Sequence, residues 1–250
     1  MIEIKNVTKK FGPLTAVNKL SLSIPQGTIF GFIGPNGAGK TTTIKMLVGL
    51  MKPSQGEIFI DDKDVRLNPE YTKKQLGYVP DDPFVYEKMT GWEYLSFVGE
   101  IFGINKKERD ERIEKLSKIY PLKKILDGYM DSYSRGNKQK LVILAAFLHT
   151  PKALLVDEPV VGLDPESISI TKKLFRNFAK EDGGTIFIST HTLSFAQDIC
   201  DRIGIIKDGK LLIEGTIDEL LKMAGLSAET LVEAEEKNKT LEELYLHFVA

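Results

Sequence analysis

The chain has 250 residues, 42% hydrophobic and 28% charged, enough for a large core in one domain or in a domain with a subdomain. Lysine plus arginine total 34 against 35 acidic residues, a net charge of -1. That balance argues against a general nucleic-acid binder, which needs a basic surplus to meet the phosphate backbone. The single cysteine, Cys200, excludes an intrachain disulfide and suits a reducing compartment. It reads as a small buried hydrophobe beside Ile199 rather than a nucleophile.

The N-terminal MIEIKNVTKKF has a strand pattern, not that of a signal peptide. No apolar run approaches the ~20 residues of a membrane helix, so the chain is expected to be soluble by itself. Ile2, Ile4 and Val7 nearly alternate, Leu20, Leu22 and Ile24 alternate before Pro25, and Ile58 and Ile60 do the same. These predict half-buried strands of an antiparallel layer. The runs 29–34, 153–157 and 185–190 are evenly apolar and predict central strands covered on both faces. Helices are predicted over 167–179 and 193–198. Residues 82–148 show no strand-like run. Thr90 and Glu93 have capping-box spacing there, and Ile113, Leu116 and Ile119 have helical spacing within a charged stretch that reads as a solvated helix face. Thr216 with Glu219 and Thr240 with Glu243 repeat the capping-box spacing, and 241–250 reads as a short amphipathic helix. The expected fold class is α/β: a mostly parallel sheet with an antiparallel β flank and a mainly helical insertion at about 82–148. Residues 217–250 are expected to form a C-terminal extension packed on the core.

Two motifs carry phosphate chemistry. Gly34, Pro35, Asn36, Gly37, Ala38, Gly39, Lys40 and Thr41 match G-x-x-x-x-G-K-[ST] between a predicted strand and a helix that continues with Thr42. Glycines allow a tight loop of inward N–H groups, the helix N-terminus adds positive potential, Lys40 can reach terminal phosphates and the Thr41 hydroxyl can ligate Mg²⁺. This is the P-loop of an NTPase core. The segment LLVDEP ends an apolar strand in two carboxylates. Asp157 can anchor Mg²⁺ through water, and Glu158 can orient or deprotonate a water. His191 follows the strand 185–190 at the ligand edge of such a sheet, where it either serves structure or touches a γ-phosphate. A second polar loop, DSYSRGNKQK, precedes the apolar run 141–148. Ser134 offers a hydroxyl, Gly136 permits close backbone approach, and a helix from about Asn137 presents its positive end. Ser134 is thus either an N-cap without a ligand or a phosphate contact. Phe11 is either a core residue or a platform for a base.

In order and spacing, these motifs resemble the nucleotide-binding subunit of an ATP-binding cassette transporter over about residues 1–216, which the resemblance makes the ATPase domain. It implies ATP and Mg²⁺ as ligands and hydrolysis of ATP to ADP and phosphate. Its signature loop corresponds to Tyr133, Ser134, Arg135, Gly136 and Asn137, and caps the γ-phosphate of ATP held by a second copy in a head-to-tail dimer. By the same resemblance Phe11 stacks on adenine, Glu158 is the catalytic glutamate and His191 senses the γ-phosphate. The segment Val161, Gly162, Leu163 and Asp164 touches the opposite subunit. Val79, Pro80 and Asp81 link the subdomains, and the helical insertion receives a coupling helix from an integral membrane subunit. The resemblance places the chain in the cytoplasm, on the inner face of the cell membrane.

Three positions depart from the family pattern: Arg135 replaces a glycine of the signature, Asn137 a glutamine, and Asp81 the glutamine of the linking loop. Arg135 could approach phosphate or face solvent. Asp81 adds negative charge, which would repel phosphate unless Mg²⁺ or water intervenes. The variants resemble exporter-type subunits for drugs or antibiotics. The alternatives are a non-transport ATPase of the same kind acting on nucleic acid or ribosomes, and a nucleotide-gated binding module without turnover. Near-neutral charge, a single cassette and the absence of a long coiled-coil insert weigh against the first, and Glu158 with His191 weighs against the second.

Overall fold

The computed structural model describes residues 1–225 and 240–249. Two sheets divide the strands. β1 (Ile2–Phe11), β2 (Leu14–Ile24), β4 (Gln55–Ile60) and β5 (Lys63–Asp64) form an antiparallel sheet in the order β2-β1-β4-β5. The second sheet runs β10-β9-β3-β8-β7-β6, built from β3 (Ile29–Ile33), β6 (Leu76–Val79), β7 (Ala153–Asp157), β8 (Thr185–Thr190), β9 (Arg202–Lys207) and β10 (Lys210–Gly215). All its pairings are parallel except β9 with β10. The fold is the expected P-loop NTPase α/β core with an antiparallel flank. Every residue of β3, β7 and β8 is buried, which is why these three show no polar alternation.

Helices α1 (Lys40–Leu47), α2 (Pro69–Lys74), α3 (Gly91–Ile101), α4 (Lys106–Leu116), α5 (Arg135–Phe147), α6 (Pro165–Lys180), α7 (Leu193–Ile199), α8 (Ile217–Met223) and α9 (Thr240–Val249), with one 3-10 turn at Met130–Ser132, complete the described elements. Thr90 and Glu93 form the capping box of α3, and Thr216 and Glu219 that of α8. The box expected at Thr240 and Glu243 involves a side chain outside the described residues. α5 begins two residues before the predicted start, because the Ser134 side chain caps it and Arg135 is already helical. α4 stops at Leu116, so Ile119 packs from the turn beyond it. The short elements β5, β6, β9, β10 and α2 had no distinct periodic signal. β9 carries Gly204 where a Cβ would sit 2.8 Å from the Phe30 ring, so close packing interrupts its apolar run.

One core joins the helical segment to the parallel sheet: Leu95, Ile113, Tyr120 and Met130 pack in the same cluster as Ile29, Leu154 and Ile188. The buried Tyr120 hydroxyl lies 2.6 Å from Thr171 Oγ1 of α6. α9 lays Leu241 and Leu244 against Ala196 of α7 and Ile203 and Ile205 of β9. The Cys200 thiol fills space beside β3, where a Cβ on Gly31 would come within 2.8 Å of its sulfur, and burial raises its pKa. Among the described residues no helix is long and apolar enough to cross a membrane.

His149, just past α5, fastens three elements. Its ring stacks on Phe102 after α3 at 3.7 Å between centroids, and Nε2 is 3.0 Å from the Leu76 carbonyl of β6. A carbonyl only accepts, so Nε2 carries a proton, and Nδ1 is buried with no hydrogen-bond partner among the described residues, which leaves the ring neutral. Burial lowers its pKa to about 4. The unfolded chain therefore binds more protons between about pH 4 and 6.5, and this contribution to stability is complete above 6.5 and lost as pH falls toward 4. His149→Gln keeps a donor and removes the titration. Its stability relative to the parent should therefore rise as pH falls from 7 to 4.5 in urea unfolding. A constant difference across that range would contradict the buried neutral ring.

Candidate nucleotide site

β3 delivers the chain into the 34–39 loop, whose glycines are required by close approach. A Cβ on Gly34 would fall 2.3 Å from the Ile206 carbonyl oxygen, and one on Gly39 2.4 Å from that of Ala16. Gly37 and Gly39 also have φ of +81° and +105°, disfavoured for residues with a side chain. Gly39 caps α1, whose first turn holds no acidic residue, so its positive end is not offset from within the helix. Lys40 is buried, with Nζ donating to the carbonyls of Gly34 at 2.8 Å and Pro35 at 3.3 Å. Burial lowers the pKa of its ammonium, while the charges of Glu158 and Asp157 raise it.

Those carboxylates come from the end of β7. Register pairs Asp157 with Ser189 of β8, and the Ser189 hydroxyl donates to Asp157 Oδ1. Asp157 Oδ2 is buried and has no hydrogen-bond partner among the described residues. Burial raises the Asp157 pKa, Ser189 and the nearby Thr41 hydroxyl pull it back, and the charges of Asp81 and Glu158 push it up again. Glu158 has φ of +48°, and its N–H donates to the Ser189 carbonyl at 2.9 Å. Its carboxylate accepts from Thr190 Oγ1 at 3.0 Å and from the His191 N–H at 3.1 Å, and Oε1 lies 2.7 Å from His191 Nδ1. His191 is itself largely exposed.

A cation would meet hard oxygen donors here, the kind Mg²⁺ takes, from Thr41 and the unpartnered Oδ2 of Asp157. Among the described residues no group of three or more His, Cys, Asp or Glu side chains could hold a metal, so any ion here would depend on ligand oxygens as well.

The residues of the second polar loop assemble separately. Ser134 accepts from the Asn137 N–H at 3.2 Å and caps α5, while buried Tyr133 donates its hydroxyl to the Ile125 carbonyl. α5 grips the segment after Glu158. A Cβ on Gly136 would lie 2.6 Å from the Gly162 carbonyl oxygen, and Lys140 Nζ is 3.0 Å from Asp164 Oδ2. Asp164 also caps α6 through the Ser167 N–H and hydroxyl, which with Lys140 hold its carboxyl well below the usual range. Leu163 is half-buried against the core. Arg135 lays its stem over Gly162, and Nη2 donates to the Asp81 carbonyl at 3.4 Å, which ties it to the linking loop. Asp81 thus touches both clusters, its charge acting on Asp157 and its carbonyl on Arg135. Phe11 is the last residue of β1, 44% exposed and outside the core, with Lys9 Nζ 5.1 Å from its ring centre.

Sequence reasoning missed Ser189 and Thr190. The signal was present: ALLVDE and TIFISTH are adjacent parallel strands of equal character, so the hydroxyls ending one lie level with the carboxylates ending the other.

A sequence model described as "ABC transporter" matches residues 17–161. The chain is 40% identical over 223 residues to the bacitracin transport ATP-binding protein BcrA of Bacillus licheniformis, covering 89% of this chain and 72% of that one. A solved ATP-binding subunit of an ABC transporter superposes with a TM-score of 0.91 at 31% identity over the whole of both chains. The dimeric post-hydrolysis cassette MJ0796, bound to ADP and Pi, superposes with a TM-score of 0.79 at 26% identity, covering 86% of this chain and 98% of that one. The chain belongs to the ABC transporter family, as one of its ATP-hydrolysing nucleotide-binding cassettes.

Gly39→Ala tests the loop geometry, since the added methyl meets the Ala16 carbonyl and cannot hold φ of +105° without strain. ATP affinity by equilibrium dialysis should fall by about fivefold or more, a loss of about 1–3 kcal/mol. Unchanged affinity would show that the loop tolerates another backbone path.

Proposed function

We propose that this chain pairs head to tail with a second nucleotide-binding subunit, enclosing two ATP molecules, and that hydrolysis drives export by separate integral membrane subunits. The observation that carries the reading is the division of the site. The phosphate loop, Asp157, Glu158 and His191 form one cluster, and the capped start of α5 forms another, fastened to residues 162–164 of its own chain. Among the described residues no hydrogen bond joins Ser134 to the phosphate loop of the same chain. A second subunit's phosphate loop would bring a triphosphate to the open helix end.

Within each composite pocket the backbone N–H groups of 34–42 and the Lys40 ammonium hold the β- and γ-phosphates, and Phe11 stacks on adenine. Lys40 first has to exchange the Gly34 and Pro35 carbonyls for phosphate oxygens. Glu158 polarises the attacking water, held by Thr190 and His191. His191, Lys40 and Ser134 of the partner subunit offset charge on the equatorial oxygens. Thr41 and Asp157, with Asp81 nearby, would hold Mg²⁺, which would neutralise phosphate charge when bound. Asp81 raises the Asp157 pKa, an unfavourable pairing of carboxylates that a cation would relieve.

The same reading assigns residues 82–148 the contact with the membrane subunits. An open cavity of about 660 Å³ lies along 82–88, edged by Arg135 and Lys138, with Phe84 74% exposed and packed edge-on to Tyr86. An exposed aromatic pair beside the linking loop suits an apolar helix from a membrane partner. Docking there would put the cassette on the inner face of the cell membrane. The bacitracin transport relative favours an antibiotic or drug as cargo. A near-neutral charge supports no nucleic-acid partner.

Glu158→Gln keeps the size and most hydrogen bonds of the side chain but cannot take up a proton. With ATP and Mg²⁺ it should bind nucleotide, lose turnover by at least about 100-fold, and elute as a dimer on size exclusion. A monomer under those conditions would sink the sandwich.

A further inference from the structure

We propose that Gln139 is a positioning residue for the hydrolytic step, holding the Pro159–Val160 peptide, in the turn that follows Glu158, in place from α5. This rests on the reading that Glu158 polarises the water. Gln139 is 1% exposed and sits among Leu141, Val142 and Ile143 on a helix whose inward positions are otherwise apolar. Its Nε2 donates to the Pro159 carbonyl at 3.4 Å, and its Oε1 is buried with no hydrogen-bond partner among the described residues. A half-satisfied buried amide is a poor choice for stability alone, since an apolar side chain of equal shape avoids the cost of the orphaned oxygen.

The bond explains the choice. Glu158 has φ of +48°, a conformation unfavourable for a residue with a Cβ, and it persists only if both flanking peptides are fixed. On the N-terminal side the Glu158 N–H donates to Ser189. On the other side proline brings no N–H to the flanking peptide; the Glu158 carbonyl there accepts from the Val161 N–H at 3.4 Å, and one peptide further on the Pro159 carbonyl accepts from Gln139 Nε2, which holds the turn between them. The Gly136–Gly162 approach and the Lys140–Asp164 ion pair on either side set the gap the amide spans. Freed from Gln139, the Pro159–Val160 peptide can rotate, loosen the Val161 N–H bond to the Glu158 carbonyl, and let the Glu158 carboxylate swing out of line with the water.

Gln139→Met removes the donor and the orphaned oxygen at similar shape. In the purified protein kcat should fall about tenfold, the effect of one lost hydrogen bond of about 1–1.5 kcal/mol. ATP affinity should stay within about twofold of the parent and Tm should be equal or higher. Placed on Glu158→Gln, the same substitution should change residual turnover by less than about twofold, because the group it positions is gone. Unchanged kcat, or kcat and Tm falling together, would overturn the proposal. If Gln139→Met fails to fold, Gln139→Leu poses the same question. Full turnover in Glu158→Gln alone would instead remove the assignment of Glu158, an outcome distinct from either result at Gln139.

Discussion

A buried ammonium facing two carboxylates governs this fold's site. Lys40 is taken out of water by the loop it belongs to, and Asp157 and Glu158 help keep it charged. The geometry follows from sheet order. β7 and β8 lie side by side, with β8 against β3, so the acidic end of β7 faces the loop leaving β3. Each charge is costly alone: Lys40 is shifted down by burial and Asp157 up. The arrangement is stable as a group and responsive as a group, because anything that adds phosphate or a cation changes all three together.

The second constraint is the clasp between α5 and the segment behind Glu158. Through Gly136, Gln139 and Lys140 the helix grips residues 159–164 at three points. The start of α5 cannot move without moving the peptide beside Glu158. Arg135 adds the linking loop, since it rests on Gly162 and reaches the Asp81 carbonyl. A glycine at 135 would have no such reach. The departure from the family pattern therefore creates a side-chain tie between signature and linking loops, within one chain.

The parts legible in the sequence had short-range causes. The phosphate loop was readable because glycine, lysine and threonine at fixed spacing are demanded locally, and the Thr90 and Thr216 boxes because capping spans only three residues. β3, β7 and β8 were readable from burial on both faces. β6, β9 and β10 were not: β6 has four residues, and β9 and β10 take their place from neighbours rather than from pattern. Glu158 was legible as a carboxylate, but its left-handed backbone was not, because the hydrogen bonds that hold it and the turn after it reach Ser189 and Gln139, residues 31 and 19 positions away along the chain. Ser134 shows the limit most clearly. Its cap on α5 is visible in one chain, whereas the ligand role we propose for it calls for a second.

The most direct test of that composite pocket is complementation between two inactive subunits. Lys40→Ala disables the phosphate loop and Ser134→Trp obstructs the signature end, so neither pure protein should hydrolyse ATP. A mixed dimer contains one pocket with wild-type Lys40 from one chain and wild-type Ser134 from the other. Steady-state phosphate release should therefore reappear on mixing, at roughly a quarter of the parent rate if pairing is random and the pockets act independently. A mixture as silent as its components, with mixed dimers shown to form, would contradict pockets shared between subunits.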